Sequence, residues 1–474
     1  MKGLAGLRSR LGRRVRRLEL ITRPEAPELS AALRRRWEQL PAQVRNEAQS
    51  IGRRTVGCEG THGVFPRCNL ACTPCYHSRE ANRVRVDGAH TVAEVDRQME
   101  LLARERGPGQ NAQLIGGEVT LLDPDDHAAA LEVMRRHGRK PMSMSHGDFD
   151  YEYLRRVAVG SDGRPRFDSL SFAGHFDSMM FGRRGLRRVG GEQELNGARK
   201  RFCDMFARLH REHGVSSYLA HNMTVTPGNV DQVAQVIRDC RHYGFRMFSF
   251  QPAAFVGNDA RWRDDYAQLS GDEVWGQMEA GAGTRLPHRV FQIGDERCNR
   301  TAYGVLVGER WVALLDDRVA ADLHARDTFY RVIGAMDFAV PRVLLAARLT
   351  RAFAREPTAL LTAGAWARRF VRRAGGLAHM RREGVHALTL VMHSFMNAAD
   401  VRPAWEGLRH GQMSDDPRVR ATQERLQACS YAMAHPEDGT LVPACVQHSV
   451  LDPRENLRLQ VLLPVAEGTA GTST

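Results

Sequence analysis

The stretch PRCNLACTPCYHS, residues 66–78, sets Cys68, Cys72 and Cys75 at C-x3-C-x2-C spacing, with Tyr76 directly after the third thiol. Three thiols this close are a metal knuckle, part of a disulfide framework, or the incomplete ligand set of an iron–sulfur cluster. Structural zinc takes four ligands, usually as two C-x2-C pairs, and here there is one such pair, with Cys58 as the nearest further thiol. Ferredoxin-type clusters use four cysteines with C-x2-C-x2-C runs. The remaining option is a [4Fe–4S] cluster on three thiolates, with one iron left open. Nine cysteines in 474 residues, an odd number, do not read as a secreted disulfide scaffold and point to a reducing compartment.

Around this loop, short apolar runs alternate with helix-length segments. Strands are expected at 61–65, 112–115, 140–144, 168–173, 217–225 and 246–250. Between them, Thr91–Glu94 and Asn229–Gln232 read as capping boxes, and Gly138 and Gly244 as helix stops. Strands separated by helices imply a parallel sheet with right-handed crossovers, and function then gathers at the C-terminal strand ends. After about residue 284 the rhythm breaks into a hairpin around Gly308, an arginine-studded helical pair over 336–383 broken at Pro357, and a closing stretch. The expected organisation is a basic helical segment over 1–54, an α/β barrel unit over 55–284, an extension over 285–464 and a frayed tail over 465–474. No internal repeat is detectable.

Forty-one residues after Cys75, LIGGEVTLL places Gly116-Gly117-Glu118 behind the second expected strand. The cysteine loop after strand one and G-G-E one strand–helix–strand unit later resemble the radical S-adenosylmethionine (radical SAM) superfamily. The resemblance covers roughly 57–255. It implies a partial (β/α)6 TIM-type barrel, with a mixed α+β extension following it. It implies a [4Fe–4S] cluster on Cys68, Cys72 and Cys75, and S-adenosylmethionine (AdoMet) chelating the open iron. Gly116, Gly117 and Glu118 would then receive the AdoMet amino group. NMTVTPGNVDQV at 222–233 resembles the turn after the fifth strand, making Asn222 and Thr224 further cofactor contacts. The position before the third cysteine, often aromatic in that superfamily, is Pro74 here, so Tyr76 is the candidate for the adenine contact. The implied activity is reductive AdoMet cleavage to a 5′-deoxyadenosyl radical that removes hydrogen from an unactivated C–H bond. A flavodoxin- or ferredoxin-like electron donor is implied with it.

Outside the loop, Cys298, Cys429 and Cys445 have polar sequence neighbours, which suggests an auxiliary cluster with Cys58 or a histidine as fourth ligand; ordinary thiols are the alternative. Cys203 and Cys240 fall on expected barrel helices and read as packing residues. His393 and His448 are candidates for ligation or substrate handling, set against ordinary buried histidines.

The net charge of +13 is concentrated, with +9 in residues 1–54 and +7 in 336–383. Leu4, Leu7, Leu11, Val15 and Leu18 make one helical stripe among seven Lys/Arg in residues 1–20. No apolar run approaches the roughly 18–20 residues that span a bilayer. These features point to a cytoplasmic enzyme, peripheral to the membrane, acting on a lipid. RNA or peptide modification is the runner-up, and a non-enzymatic electron-transfer protein the third reading.

Overall fold

The computed structural model describes residues 22–76, 79–186, 189–256, 262–338 and 340–465. The basic stripe of residues 1–20 and nearly all of the expected tail lie outside the described residues.

Parallel order dominates the sheet. β1 (Cys58–Gly60), β3 (Asn111–Leu114), β4 (Lys140–Ser145), β5 (Ser169–His175), β7 (Ser216–Val225) and β8 (Met247–Pro252) lie side by side in chain order, all parallel. The intervening helices are α2 (Gly88–Arg106), α3 (Pro124–Arg136), α4 (Tyr151–Ala158), α5 (Asn196–His213) and α6 (Val233–Cys240), with α7 (Gly271–Ala282) after β8. This is a partial (β/α)6 barrel. Short β2 (Ala71–Cys72) and β6 (Met180–Phe181) pair separately, and α1 (Pro27–Gln39) precedes the barrel. Within the helical segment expected over 1–54, α1 stops at Gln39 and is followed by a single tight turn over Ala42–Val44.

The later residues extend the same sheet at both edges. β11 (Val385–His393) runs parallel to β8, and antiparallel β9 (Asn299–Val307) and β10 (Arg310–Ala313) lie beyond it. At the opposite edge β12 (Tyr431–His435) runs parallel to β1 and carries antiparallel β13 (Thr440–Pro443). Helices α8 (Ala320–Ile333), α9 (Arg342–Arg355), α10 (Thr358–Arg373) and α11 (Leu377–Glu383) follow β10. Helices α12 (Ala398–Arg409) and α13 (Pro417–Gln427) precede β12, and α14 (Asp452–Leu462) follows a short turn over Ala444–Val446 and a π-helical turn over Gln447–Leu451.

The core lies between sheet and helices. α5 turns Phe202, Phe206 and Leu209 inward at i, i+4 and i+7, onto Phe172 of β5 and Leu219 of β7. Cys203 and Cys240 are buried in that layer.

Two start signals resolve differently from the capping-box reading. α2 begins at Gly88, capped by Asp87, which accepts from the His90 amide at 2.9 Å; Thr91 instead bonds the Val64 carbonyl. Asn229 turns its amide back to Glu192 and the Thr224 carbonyl, and α6 starts only at Val233. At α2 the cap falls earlier in the chain, on Asp87, while at Asn229 the side chain is claimed by the distant Glu192. The first strand lies at 58–60 rather than 61–65, because β1 carries a buried carboxylate, Glu59, paired with Arg139.

A histidine under β1 ties the barrel to the last helix. His62 Nδ1 lies 2.7 Å from Glu455 Oε1 and Nε2 lies 2.7 Å from the Ala434 carbonyl, so two acceptors require both nitrogens protonated. Burial opposes the charge, but Glu455 and the carbonyl raise the imidazole to about 9. A raised value stabilises fully below the ordinary pKa near 6.5 and is lost as pH rises through about 9. The shift corresponds to about 3 kcal/mol. Urea midpoints of wild type and His62→Gln are expected to differ widely at pH 6 and to converge above pH 9. A gap independent of pH would make the contact merely steric.

Candidate functional site

The cysteine loop leaves β1 and is pinned on several sides. β2 pairs with β6, the Thr73 amide donates to the Met179 carbonyl, and the Tyr266 hydroxyl donates to the Thr73 carbonyl at 3.2 Å. The Cys68 amide donates to Asn82 Oδ1 at 3.1 Å. Cys68, Cys72 and Cys75 are each half-buried, and none of the nine cysteines is in a disulfide.

The G-G-E loop leaves β3 and docks on the same segment. The Gly117 amide donates to the Phe65 carbonyl and the Glu118 amide to the Arg67 carbonyl. A Cβ on Gly117 would stand 2.1 Å from Arg67 O, and one on Gly116 would stand 2.6 Å from the Phe65 ring. The glycines therefore admit the protein's own chain on the side a Cβ would occupy. Tyr76 closes the junction: its hydroxyl donates to the Gly116 carbonyl at 2.6 Å. Burial, reinforced by Cys75, raises that hydroxyl well above its usual value, so it stays a donor.

Glu118 is buried and already heavily bonded. Oε1 accepts from the Thr120 amide (3.1 Å), the Thr120 hydroxyl (2.6 Å) and the Ser145 hydroxyl (2.8 Å), and Oε2 accepts from the His146 amide (2.8 Å). A carboxylate offers about four acceptor sites over its two oxygens. What capacity is left lies on Oε2, which His146 Nε2 approaches to 3.4 Å. Glu118→Gln is consequently expected to do two things together. In either orientation its NH2 faces a backbone N–H, that of Thr120 or of His146, costing about 1–3 kcal/mol of stability. If Glu118 receives the AdoMet amino group, as the resemblance implies, AdoMet affinity read by equilibrium dialysis should fall with it. Wild-type stability in this variant would contradict the cap.

His146, just past β4, was not singled out by sequence. Its Nδ1 accepts from the Asp148 amide at 3.0 Å, which places the proton on Nε2, 2.9 Å from Asn69 Oδ1 in the cysteine loop. Burial lowers its pKa in spite of Glu118, consistent with that neutral tautomer. The Arg183 guanidinium then donates to the His146 and His175 carbonyls.

Across the C-terminal strand ends, His175, Asn222 and Ser249 are register neighbours on β5, β7 and β8. Asn222 is buried, and the buried Ser249 hydroxyl has no hydrogen-bond partner among the described residues. An orphaned buried hydroxyl beside Asn222 is what a ligand-binding face would supply. Thr224 is engaged by its neighbours: its hydroxyl lies 3.2 Å from His175 Nε2 and its amide donates to Asp177. His175 Nε2 lies 2.6 Å from Asp177 Oδ2. Burial works against the Asp177 charge, yet His175 and the amides of Thr224 and Met179 hold its carboxyl below the usual range. The signal for these residues was polar chemistry directly after an apolar parallel strand, in SHGD and GHFD.

The C-terminal segment reaches the same loop. His448 packs on Tyr76 with ring centroids 4.6 Å apart, and its Nδ1 lies 2.7 Å from Asp452 Oδ2. His393 ends β11 against Asn299, and burial lowers it to about 4.

Cys298, Cys429 and Cys445 come from the starts of β9 and β12 and from the turn after β13, and they are electrostatic neighbours. Burial raises Cys298 to about 11, with Cys429 adding to the shift, although Arg425 Nε donates to its sulfur at 3.2 Å. Burial raises Cys445 further, with Cys429 and Cys298 adding to it. Cys445, for all its polar sequence flanks, is buried among Met396, Val401 and Leu426. Cys58 stands in register with Tyr431, two residues past Cys429, and its thiol lies 3.9 Å from the Gln113 amide. Among the described residues no three His, Cys, Asp or Glu side chains are already gathered at metal-binding spacing.

No family profile and no curated protein matches the chain. Among solved structures, native anSMEcpe with bound AdoMet and Cp18Cys peptide is similar at 14% identity and TM-score 0.31, over 47% of this chain and 57% of that chain. Native anSMEcpe with bound AdoMet is similar at 14% identity and TM-score 0.30, over 48% and 62%. The hexahistidine-tagged form with bound AdoMet is similar at 15% identity and TM-score 0.28, over 41% and 50%. The chain spans about half to three fifths of the length of the structures it matches. Its own motifs, a three-cysteine loop after β1 and G-G-E after β3 of a partial (β/α)6 barrel, are those by which it resembles the radical SAM superfamily.

Proposed function

We propose that the chain is a radical SAM enzyme whose Cys68, Cys72 and Cys75 hold a [4Fe–4S] cluster and whose G-G-E loop receives AdoMet. The observation that carries this is the Tyr76–Gly116 hydrogen bond, which joins the cysteine loop to the G-G-E loop at the C-terminal ends of neighbouring parallel strands. The donor set fits: three thiols on one short loop suit iron, and the orphaned Ser249 hydroxyl beside Asn222 suits a polar ligand on the same sheet end. When bound, the cluster and AdoMet supply one-electron C–S cleavage and hydrogen abstraction from an unactivated C–H bond.

The protein's own side chains position and shield. Tyr76 and His146 each bridge the cysteine loop to the next strand end, one through the Gly116 carbonyl and the other through Asn69. Glu118 holds the ends of β3 and β4 together and presents its remaining acceptor capacity on Oε2. Asp177, kept ionised, orients His175 beside Asn222. Cys298, Cys429 and Cys445 form a second iron–sulfur site in this reading, supported by their mutual proximity.

The substrate is a lipid at an anionic membrane surface, which the +7 charge of 336–383 favours. No helix among the described residues is long and apolar enough to cross a membrane. RNA or a peptide is the second reading, favoured by the same positive charge, which suits a polyanionic substrate as well as a lipid surface. The test is anaerobic reconstitution with iron, sulfide, a reductant and AdoMet, followed by mass spectrometry for 5′-deoxyadenosine. Lipid extract, RNA or peptide then goes into parallel reactions. Absence of 5′-deoxyadenosine from a fully iron-loaded protein would end the proposal.

A further inference from the structure

Helices α9 and α10 are long, yet each buries one residue, Ala352 in the first and Ala359 in the second. Helical stability in water normally comes from burying an apolar face. Here Val343 is 85% exposed and Leu361 75%, with Leu360 beside it also exposed. The pair is nevertheless held in place. Arg369 and Arg373 of α10 both pair with buried Asp322 of α8, and the Trp366 indole donates to the Leu314 carbonyl at 2.9 Å.

Behind the pair lies a cavity of about 360 Å³, walled by Phe291, Phe329, Phe353 and Trp366 among other apolar groups. That volume falls in the ~300–1,000 Å³ range of small-molecule sites. Ala359, Thr362, Ala363 and Trp366 line it at i, i+3, i+4 and i+7, one face of α10. Arg54 is the one charged residue in the lining among the described residues, stacked 5.5 Å from the Phe329 ring and 5.7 Å from Phe338. Tyr303, also in the wall, sits opposite Thr389 in the middle of β11, away from the strand ends that carry the cysteine and G-G-E loops.

We propose that this cavity holds an acyl chain of an anionic phospholipid, with exposed Val343 of α9 and Leu360 and Leu361 of α10 set against the bilayer. Charge complementarity selects the anionic lipid: residues 336–383 carry ten Arg against three acids, so a negative headgroup layer is the surface they fit. An apolar chamber behind an exposed apolar, cationic helix pair is the arrangement that a lipid satisfies on both counts. The inference rests on the membrane-surface part of the proposed function and assigns a lipid-holding site, separate from the place of reaction.

The test uses the full chain and vesicles of phosphatidylglycerol or phosphatidylcholine with brominated acyl chains, which quench tryptophan at short range. Brominated phosphatidylglycerol is expected to quench wild type, and Trp366→Phe should remove most of that quenching. Ala363→Phe, which fills the cavity, should remove the same component while vesicle co-sedimentation persists. Leu361→Glu, at an exposed position that folding tolerates, should weaken co-sedimentation at least tenfold. Reductive AdoMet cleavage is followed in parallel and should not change in any of the three. Equal quenching of wild type and Ala363→Phe would overturn the assignment. So would indifference to both lipids, or a lipid-free dimer that Leu361→Glu disperses, or binding of RNA in place of anionic vesicles. Quenching without AdoMet cleavage would sink the enzymatic proposal and leave the lipid site standing; cleavage without quenching would do the reverse.

Discussion

Replacing Cys68, Cys72 and Cys75 together with alanine is expected to abolish reductive AdoMet cleavage. These thiols are the whole protein contribution to the cluster in the proposed function, so partial activity is not an intermediate outcome. The loop keeps its backbone anchors, because Thr73, Cys68 and Tyr76 are held through main-chain atoms or through Tyr76's own hydroxyl. The circular dichroism spectrum should therefore match wild type. Iron content separates the two cysteine groups. If Cys298, Cys429 and Cys445 hold a second cluster, the loop variant retains about four irons per chain after reconstitution. Removing those three as well should leave none. Retained 5′-deoxyadenosine formation in the loop variant would refute the cluster assignment.

The second large effect concerns stability. Glu59 in β1 is fully buried against Arg139, with NH2 3.1 Å from Oε1 and Nε 3.0 Å from Oε2, and Arg106 approaches to 3.9 Å. Burial raises the Glu59 carboxyl, with Arg139 opposing, and burial lowers Arg139 in turn. Deleting one member leaves a buried guanidinium uncompensated. Glu59→Ala is expected to cost about 3–5 kcal/mol, read from guanidinium denaturation. Glu59→Met with Arg139→Met should recover part of the loss, because the desolvation penalty goes with the charges. Because β1 runs directly into the cysteine loop, the single variant should also lose iron on gel filtration. A loss no larger than that of the exposed Glu152→Ala would show that the pair carries no weight.

This ion pair also explains where sequence reading stopped. The strands expected at 112–115, 140–144, 168–173, 217–225 and 246–250 appear within two residues, because their apolar runs show the burial of a parallel sheet. β1 hides that pattern behind Cys58 and Glu59, so the neighbouring THGVF drew the assignment instead. At the site, cysteine spacing and G-G-E are legible as local patterns. His146 and His175 leave only the polar SHGD and GHFD runs, and Ser249 no local sign, since their meaning depends on register between strands whose pairing the chain does not spell out. Glu118 shows a subtler gap: its motif was visible, but the four donors that claim its oxygens come from Thr120, Ser145 and His146 after folding.

The two outer parallel neighbours of the barrel, β11 and β12, bear on how a nascent chain matures. β1 leaves the ribosome well before its second partner, which lies about 370 residues downstream, in the pairing of Cys58 with Tyr431. β8 likewise waits for β11. Until β11 and β12 have been made, the barrel exposes two unpaired strand edges, which are templates for association with other chains. Contacts this distant in sequence also make folding slow. Chains cut after residue 284 should accumulate as aggregates in vivo, and holdase chaperones should be found on ribosomes translating this message.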